Sequence, residues 1–241
     1  MLRYHQLAVS DAPPLVTALE QSFPEADVMV DVGAGSAAIC AEWRRRGHQV
    51  VACERHAFGR LLARLQGVRA RPFSLLDEPP ARVGRGFHLP VCVEVAEHVP
   101  AELASRLAAF LSGLAPTIVF SAAPPSQGGH LHVNEQPPAY WDALFEERGA
   151  QPDTAATAIL RDAMVAAGVQ GEWYLENTRV FVRVDNGAGS SSGAVGTVLA
   201  RGAPVYAQRV SAPSGSQTVA PIGLTRRRGA AGTMRSCTTS T

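Results

Sequence analysis

Short apolar segments rich in valine alternate with longer amphipathic segments between residues 27 and 184. Short apolar runs are typical of buried strands, whereas longer segments with apolar residues three or four positions apart are typical of helices. The pattern predicts strands at 28–30, 49–53, 68–73, 89–95, 117–120 and 178–184, and helices at 36–46, 61–65, 101–114, 140–148 and 159–167. This alternation indicates an open, doubly wound α/β sheet of about seven mostly parallel strands, with the last strand antiparallel.

The composition changes after Asp185 to glycine, serine, alanine, threonine and proline without hydrophobic periodicity. Residues 186–241 contain six arginines and no acidic residue, so the net charge of +1 for the whole chain leaves −5 on residues 1–185. The apolar side chains of this segment are too sparse and too irregularly spaced to form a core. We therefore expect one domain over 1–185 and a flexible tail over 186–241.

The composition also narrows the classes of function. The chain has no lysine, which excludes a Schiff-base lysine enzyme and a phosphate-binding loop that ends in Gly-Lys-Ser/Thr. The low net charge and the lack of a basic stripe in 1–185 disfavour a nucleic-acid partner, and no apolar run is long enough to predict a membrane span. The four cysteines are scattered without a Cys-x-x-Cys pair, which is typical of a cytoplasmic protein in a reducing compartment.

A glycine-containing turn joins the first predicted strand to the first predicted helix. The turn runs from Asp31 through Gly33 and Gly35, and Glu54 ends the next strand 19 residues after Gly35. Glycines allow a sharp turn and let a ligand approach the backbone, and such turns lie at the edge where open α/β sheets bind ligands. An acid at the place of Glu54 can accept hydrogen bonds from the hydroxyls of a ribose.

Two ligands compete for this turn, because the sequence also fits G-x-G-x-x-A, a variant of the dinucleotide fingerprint. A dinucleotide would place its pyrophosphate beside the Asp31 carboxylate, which would repel it. S-adenosylmethionine carries a sulfonium and an ammonium group, which the same carboxylate attracts by roughly 4 kcal/mol at 4 Å and an effective dielectric constant of 20, before desolvation. The sign of this interaction favours the methyl donor over NAD, although an NAD-type oxidoreductase remains an alternative.

Three segments resemble the successive motifs of class I S-adenosylmethionine-dependent methyltransferases. They are Val30-Asp31-Val-Gly33-Ala-Gly35-Ser, Val50-Val-Ala-Cys-Glu54 and Glu94-Val-Ala-Glu97-His98-Val-Pro100. Two further segments, at 120–141 and 173–182, are similar to a subgroup of small bacterial and phage-type members, the second of them to its last strand. The resemblance covers about residues 26–184 and implies methylation of a small-molecule or sugar hydroxyl with S-adenosylmethionine as cofactor.

The resemblance also implies a set of cofactor contacts. Asp31, Gly33 and Gly35 would line the methionine part and Glu54 would hold the ribose. The adenine would be flanked near Leu75 and Leu76, and the residues beside the cofactor after the fourth strand would be Glu94 and Val95.

Three positions depart from the pattern of the family. Ala37 replaces the usual third glycine, 74–79 is hard to align with the family's acidic residue after strand three, and His88 stands where an aspartate normally begins strand four. These departures keep open a non-catalytic protein that retains the cofactor fold.

Three histidines are candidates for the base that an oxygen nucleophile needs, because the pKa of histidine lies near neutrality. His98 follows the fourth strand, whereas His130 and His132 lie in the loop after the fifth. His132 is the first choice, because the loop around it is rich in polar residues. A metal site at His130 and His132, with Glu135 nearby in sequence, is the less favoured interpretation, because the spacing predicts two imidazoles on one side of a strand but no clear third ligand, and no metal is predicted.

Overall fold

The computed structural model describes residues 2–76 and 86–184 of the 241-residue chain. Seven strands and seven α-helices lie in these ranges, together with a short 3-10 helix at Ala96–His98. The strands are β1 Val28–Val32, β2 Gln49–Glu54, β3 Arg71–Pro72, β4 Leu89–Cys92, β5 Thr117–Phe120, β6 Ala150–Pro152 and β7 Arg179–Arg183. The helices are α1 Leu2–Ser22, α2 Ala38–Arg45, α3 Ala57–Leu65, α4 Ala101–Ser112, α5 Pro138–Glu146, α6 Thr154–Ala167 and α7 Glu172–Asn177.

The strands form one sheet in the order β3-β2-β1-β4-β5-β7-β6. Neighbouring strands from β3 to β5 are parallel, whereas β7 is antiparallel to both β5 and β6. The prediction of an open, mostly parallel seven-stranded α/β sheet with an antiparallel last strand is therefore confirmed. The order reverses between β1 and β4, and crevices at such reversals are where these sheets bind ligands.

Apolar side chains cover both faces of the sheet. Along β5, Ile118 and Phe120 belong to the core on one face, whereas Val119 belongs to the core on the other, as the alternation of side chains along a strand requires. Helices α1, α2 and α6 contribute to the core that contains Val119, and α4 and α5 contribute to the opposite core. Burial on both faces explains why the strands read as continuous apolar runs in the sequence.

Four segments differ from the sequence-based predictions. The helix α1 and the short strand β6 were not predicted, and β3 is shorter than the predicted strand at 68–73. Residues 172–177 form a helix, so the part of 173–182 before Thr178, which the resemblance assigned to the last strand, does not belong to it. Tryptophan and tyrosine favour strands locally, but Tyr174 is buried in the helical layer beside α6 instead. The predicted tail over 186–241 lies outside the described residues.

None of the helices within 2–76 and 86–184 is both long and apolar enough to traverse a lipid bilayer. Helix α1 is the longest of them, with 21 residues, and it packs against α2 and α6. Its side chains Leu15, Val16 and Leu19 belong to one of the two cores.

A buried carboxylate fixes α1 to the loop between α6 and α7. Asp11 is 1% exposed, and its two oxygens accept hydrogen bonds from the backbone N–H groups of Gln170, at 2.9 Å, and Gly171, at 3.0 Å. Each donor would be left without a partner if this side chain were removed. The interaction therefore joins residues about 160 positions apart in sequence.

We expect Asp11→Ala to lower the free energy of unfolding by about 2–3 kcal/mol, because two backbone donors lose a charged acceptor. Urea unfolding followed by circular dichroism would measure the change. Glu25→Ala removes an exposed carboxylate near the same helix and should change stability by less than about 0.5 kcal/mol. Equal effects of the two substitutions would contradict a structural role for Asp11.

Candidate functional site

Two carboxylates end neighbouring strands at the reversal of the sheet. Asp31 lies in β1 and Glu54 is the last residue of β2, and their side chains are 3% and 5% exposed. The parallel pairing of Val32 with Cys53 brings the ends of the two strands side by side. The carboxylates predicted to contact the methionine and ribose parts of the cofactor are therefore brought to one place.

The backbone of the glycine turn is attached to the end of β2. The N–H groups of Gly33 and Ala34 both donate to the carbonyl of Cys53, each at 2.9 Å. Gly33 has φ +86°, and a Cβ atom there would lie 2.5 Å from Cγ2 of Val95. The structure thus places Gly33 and Val95, two predicted cofactor residues, in close contact. Because a side chain at position 33 would overlap Val95, this position of the turn is glycine.

Asp31 is electrostatically unusual. Its pKa is raised to about 7, chiefly by burial and also by the neighbouring charge of Glu54, while a hydrogen bond from the thiol of Cys40, at 3.3 Å, opposes the shift. A positive charge beside the carboxylate would favour its ionised form and compensate for the lost hydration. A positively charged ligand would supply that compensation.

Glu54 is held by backbone donors on both oxygens. Its Oε2 accepts from the N–H of Gly35 at 2.7 Å, and its Oε1 accepts from the N–H of His56 at 2.6 Å. Gly59 leaves room for this arrangement, because a Cβ atom there would lie 2.9 Å from Cγ of Glu54. Each carboxylate oxygen has a second lone pair, so the side chain keeps acceptor capacity for hydroxyl groups.

Two of the three departures from the family pattern have a structural explanation. Ala37 has φ +56° and is fully buried, so it occupies the left-handed conformation that glycine tolerates best. The Nδ1 atom of His88 accepts hydrogen bonds from the backbone N–H groups of Asp27, at 3.0 Å, and Val28, at 3.3 Å. These bonds hold the first residues of β1, so His88 acts at the edge of the sheet opposite the glycine turn. The third departure, at 74–79, lies partly outside the described residues.

The remaining predicted cofactor residues differ in their surroundings. Leu75 is buried in the core at 8% exposure, whereas Leu76 is 58% exposed. Glu94 follows β4 in the left-handed region with φ +54° and accepts hydrogen bonds at Oε1 from the Ser121 hydroxyl, at 2.8 Å, and from Nδ2 of Asn177, at 3.2 Å. Burial, and then the charge of Glu97, raise the pKa of Glu94 to about 7.

A cluster of three side chains, Glu97, His98 and His132, lies on the loop side of β4 and β5; it is called the His–Glu cluster below. The Nε2 atoms of His98 and His132 each lie 4.0 Å from Oε1 of Glu97. The two imidazole rings meet edge to face with their centroids 4.9 Å apart. The glutamate is 1% exposed, whereas the side chains of His132 and His98 are 12% and 42% exposed, so the cluster opens towards solvent on the histidine side.

Both rings are oriented through their other nitrogen. Nδ1 of His132 lies 2.8 Å from Oε1 of Glu135, whose Oε1 also accepts a hydrogen bond from the N–H of Gly128 and whose Oε2 accepts one from the N–H of Ser126. Nδ1 of His98 lies 3.1 Å from the carbonyl of Leu131. Because these partners are acceptors, each Nδ1 carries the proton and each Nε2 presents a lone pair. Burial lowers the pKa of His98, which favours its neutral form.

The structure brings two of the three predicted histidines together and leaves the third outside. His130 is exposed and does not belong to the His–Glu cluster. Glu97 belongs to a family motif but is not among the predicted site residues, and Glu135 is predicted only as part of the less favoured metal site. A glutamate directly before a histidine after a buried strand was the available signal for Glu97. His132, which lies 35 residues after Glu97 in the sequence, could not be identified as a neighbour of Glu97 from the spacing of residues.

Solved structures resemble this chain although its sequence gives no match in two other comparisons. No protein-family model matches the sequence, and no curated protein matches it. Among solved structures, DesVI from Streptomyces venezuelae superimposes with a TM-score of 0.55 at 14% identity, covering 73% of this chain and 92% of that one. The chain has the fold of the class I methyltransferases.

Two further structures agree with this fold. The amino pentose methyltransferase CalS10 from Micromonospora echinaspora, solved with bound S-adenosylmethionine, has a TM-score of 0.52 at 16% identity over 73% of this chain and 92% of its own. Magnesium protoporphyrin IX methyltransferase from Synechocystis PCC 6803, solved with bound S-adenosylhomocysteine, has a TM-score of 0.51 at 16% identity over 75% and 84%.

We expect Gly33→Ala to lower the free energy of unfolding by about 2–5 kcal/mol, because the new methyl group overlaps Val95 and the backbone is left-handed. Gly35→Ala is the matched control: φ is +53°, but no atom lies within 4 Å of the new Cβ. Gly35→Ala should lower the free energy of unfolding by only about 1–2 kcal/mol, which is the cost of a left-handed backbone for alanine. A second substitution, Val95→Ala, should recover part of the lost stability in Gly33→Ala and none in Gly35→Ala. Equal costs at the two glycines in denaturant unfolding would contradict the close packing of Gly33 on Val95.

Proposed function

We propose that the protein is an S-adenosylmethionine-dependent methyltransferase that transfers the methyl group to a hydroxyl of a small molecule or sugar. The observation that carries this proposal is the pair of buried carboxylates, Asp31 and Glu54, beside the reversal of a sheet whose fold is that of the methyltransferases compared above. Two adjacent carboxylates require a cation, which this cofactor has and a dinucleotide pyrophosphate opposes. The pair therefore favours the methyl donor over NAD.

The residues around the turn fit the cofactor. Asp31 would hold the positively charged methionine end, and Gly33 and Gly35 would allow it to approach the backbone. Glu54 would accept hydrogen bonds from the ribose, with Leu75 and Leu76 near the adenine and Glu94 and Val95 alongside. When bound, the cofactor supplies an electrophilic methyl group, whose carbon–sulfur bond breaks as the acceptor oxygen forms its new bond.

His132 is the proposed base for this transfer. Its Nε2 lies between the Glu97 carboxylate and the backbone of Gly129, and Glu135 at Nδ1 would stabilise the imidazolium that forms when the hydroxyl proton arrives at Nε2. Glu97, whose Oε1 is 4.0 Å away, would stabilise the same charge. The chain thus supplies a proton acceptor with a fixed tautomer beside the crevice. Alignment of the substrate hydroxyl with the methyl group accounts for much of the remaining catalysis.

Proteins with similar folds support a small acceptor. CalS10 methylates an amino pentose, and KedS8 from Streptoalloteichus, with a TM-score of 0.51 at 14% identity, is a sugar N-methyltransferase. MmcR, with a TM-score of 0.50 at 14% identity, is the mitomycin 7-O-methyltransferase. A non-catalytic protein is disfavoured, because the oriented histidines at the cluster are a costly arrangement for a fold that only binds its cofactor. We infer a cytoplasmic enzyme without a nucleic-acid acceptor.

We expect calorimetry to show binding of S-adenosylmethionine or S-adenosylhomocysteine and not of NAD. Asp31→Ala and Glu54→Ala should each weaken binding about 10- to 150-fold, since each removes a charged hydrogen-bond partner of about 1.5–3 kcal/mol. Glu25→Ala removes an exposed carboxylate before the start of β1, at the opposite end of that strand from Asp31, and should leave affinity unchanged. Micromolar binding of NAD without binding of the methyl donor would refute the proposal.

The affinity for S-adenosylmethionine should fall by up to about tenfold per pH unit as the pH drops below 7. Asp31 has a pKa of about 7 in the free protein, so a proton must leave before the carboxylate can face a cation. Between the unfolded pKa of about 4 and pH 7 the native state binds more protons, so the stability of the free protein should fall as the pH rises. Calorimetry in buffers of different ionisation enthalpy would detect the released proton. An Asp31→Asn variant with the same pH dependence would exclude Asp31 as its source.

His132→Ala should lower turnover by roughly 10²–10⁴-fold while leaving cofactor binding nearly intact. Turnover would be measured with a panel of sugar and phenolic acceptors, and binding by calorimetry. If His132 only supports the loop, the substitution should instead lower the melting temperature and leave the rate of the folded enzyme unchanged. Full turnover in the double variant His130→Ala/His132→Ala would remove both residues from the chemistry and leave His98 as the candidate.

A further inference from the structure

The His–Glu cluster brings together one potential metal-ligand atom from each of its three residues, and a backbone hydrogen bond from Ala123 reaches the Glu97 carboxylate as well. Nδ1 of each histidine is turned to an acceptor, so both Nε2 atoms present lone pairs to the carboxylate of Glu97. One ligand atom from each of the three residues lies within 4.8 Å of the other two. Lone pairs that converge in this way are stabilised by a proton or by a metal ion.

Glu97 points to the metal ion. Its side chain is 1% exposed, and its Oε2 atom has no hydrogen-bond partner within residues 2–76 and 86–184. A buried carboxylate oxygen without a partner is costly, because it has lost its hydration without replacement. We propose that Glu97, His98 and His132 bind a divalent first-row transition-metal ion such as Zn²⁺ or Mn²⁺.

The outer contacts of the cluster are those of a metal site. Histidine ligands commonly donate their second N–H to a carboxylate or a backbone carbonyl, which fixes the tautomer and the ring plane. Glu135 does this for His132 at 2.8 Å, and the Leu131 carbonyl does it for His98 at 3.1 Å. The loop is attached to the third ligand as well, because the N–H groups of Val133 and Asn134 donate to the carbonyl of Glu97 at 2.9 and 3.0 Å.

Metal binding requires the three ligand atoms to move closer together. Ligand atoms around a tetrahedral ion with bonds of about 2.1 Å are about 3.4 Å apart, so the two distances of 4.0 Å to Glu97 must shorten by roughly 0.6 Å, and the separation of the two histidine nitrogens, which is within 4.8 Å, by up to about 1.4 Å. His132 lies in the loop between β5 and α5, where side chains can adjust, and His98 is exposed enough for an ion to enter from solvent. Two imidazoles and one carboxylate favour transition metals over Mg²⁺ and Ca²⁺, and three protein ligands leave a coordination position open.

The consequence of a bound metal ion for methyl transfer rests on the proposed function. With an ion bound, His132 is a ligand and no longer takes the proton itself. The open position would then face the acceptor side of the crevice, where a metal ion lowers the pKa of a hydroxyl that approaches it. Metal binding itself does not depend on this step and is tested without an acceptor.

The test uses the full-length chain without a histidine tag, treated with a chelator and dialysed. Calorimetry with Zn²⁺ should give one ion per chain with a Kd of about 1 µM or lower, and Mg²⁺ should not bind at comparable concentrations. Co²⁺ should give visible d–d absorption that Zn²⁺ displaces. Absence of both signals in the folded protein would overturn the proposal.

Substitutions locate the ion. Glu97→Gln, His98→Ala and His132→Ala should each weaken Zn²⁺ binding by about 100-fold or more, and Glu135→Gln, which acts through His132, by about 10- to 100-fold. His130→Ala removes an exposed histidine of the same loop and should leave the affinity unchanged. Wild-type affinity in the Glu97→Gln/His132→Ala double variant would place the ion elsewhere and overturn the assignment.

Two parallel measurements keep these outcomes separate. Thermal melts without metal show whether a variant is folded. If Glu97→Gln does not fold, His98→Ala tests the metal site in its place. S-adenosylmethionine binding is measured on the same samples, because the ligands of the ion lie outside the glycine turn. If a variant loses Zn²⁺ binding but still binds S-adenosylmethionine, the metal site is supported. If the wild type itself binds Zn²⁺ but not S-adenosylmethionine, the proposed function is refuted and the metal site is not.

Discussion

The attachment of the first glycine turn to the end of β2 is the constraint on which the site depends. Two consecutive N–H groups, those of Gly33 and Ala34, share the carbonyl of Cys53. This sharing bends the chain sharply after β1 and sets the end of that strand beside the end of β2. It therefore holds the carboxylates of Asp31 and Glu54 close enough for the charge of one to raise the pKa of the other. A looser turn would let the carboxylates separate and would remove the electrostatic demand for a cation.

The second half of the site is organised by the carbonyl of Glu97. It accepts hydrogen bonds from two N–H groups of the long loop after β5, at Val133 and Asn134, and so draws that loop against the segment after β4. Asn177, at the end of α7, donates to Glu94 and to Gln127 and connects the same two segments from the other side. The loop is irregular in secondary structure but well connected, which is how a long connection can position side chains for chemistry.

The sequence allowed the architecture to be predicted because parallel strands buried on both faces leave a strong apolar signal. Helix α1 escaped prediction because Pro13 and Pro14 lie inside it, and interior prolines normally break a helix. Its place in the fold depends on Asp11 and the α6–α7 loop, which no local pattern encodes. Helix α7 was missed because its aromatic residues favour strands locally, whereas tertiary burial of Tyr174 selects the helix.

The candidate site likewise has one part that the sequence predicts and one part that it does not. Asp31, Gly33, Gly35 and Glu54 follow strands closely, so strand order alone brings them together. The His–Glu cluster needs Glu97 and His132 to meet across a loop whose path is set by individual hydrogen bonds, and periodicity contains no information about such a path. The sequence could indicate which residue types were available there, but not which of the histidines would meet.

Backbone strain is concentrated in the part of the molecule where the sequence was least informative. Of the four non-glycine residues with positive φ in the described ranges, Ala37 follows the glycine turn, whereas Glu94, Ser126 and Leu131, with φ between 54° and 72°, lie in the segments that build the acceptor side. Each non-glycine residue in the left-handed region costs roughly 1–2 kcal/mol. At Leu131 the unusual backbone accompanies a carbonyl directed at Nδ1 of His98, and at Glu94 it accompanies an N–H directed at the hydroxyl of Ser121. The strain is thus coupled to the orientation of polar groups around the cluster, which is the pattern expected where a fold gives up stability to hold reactive side chains in place.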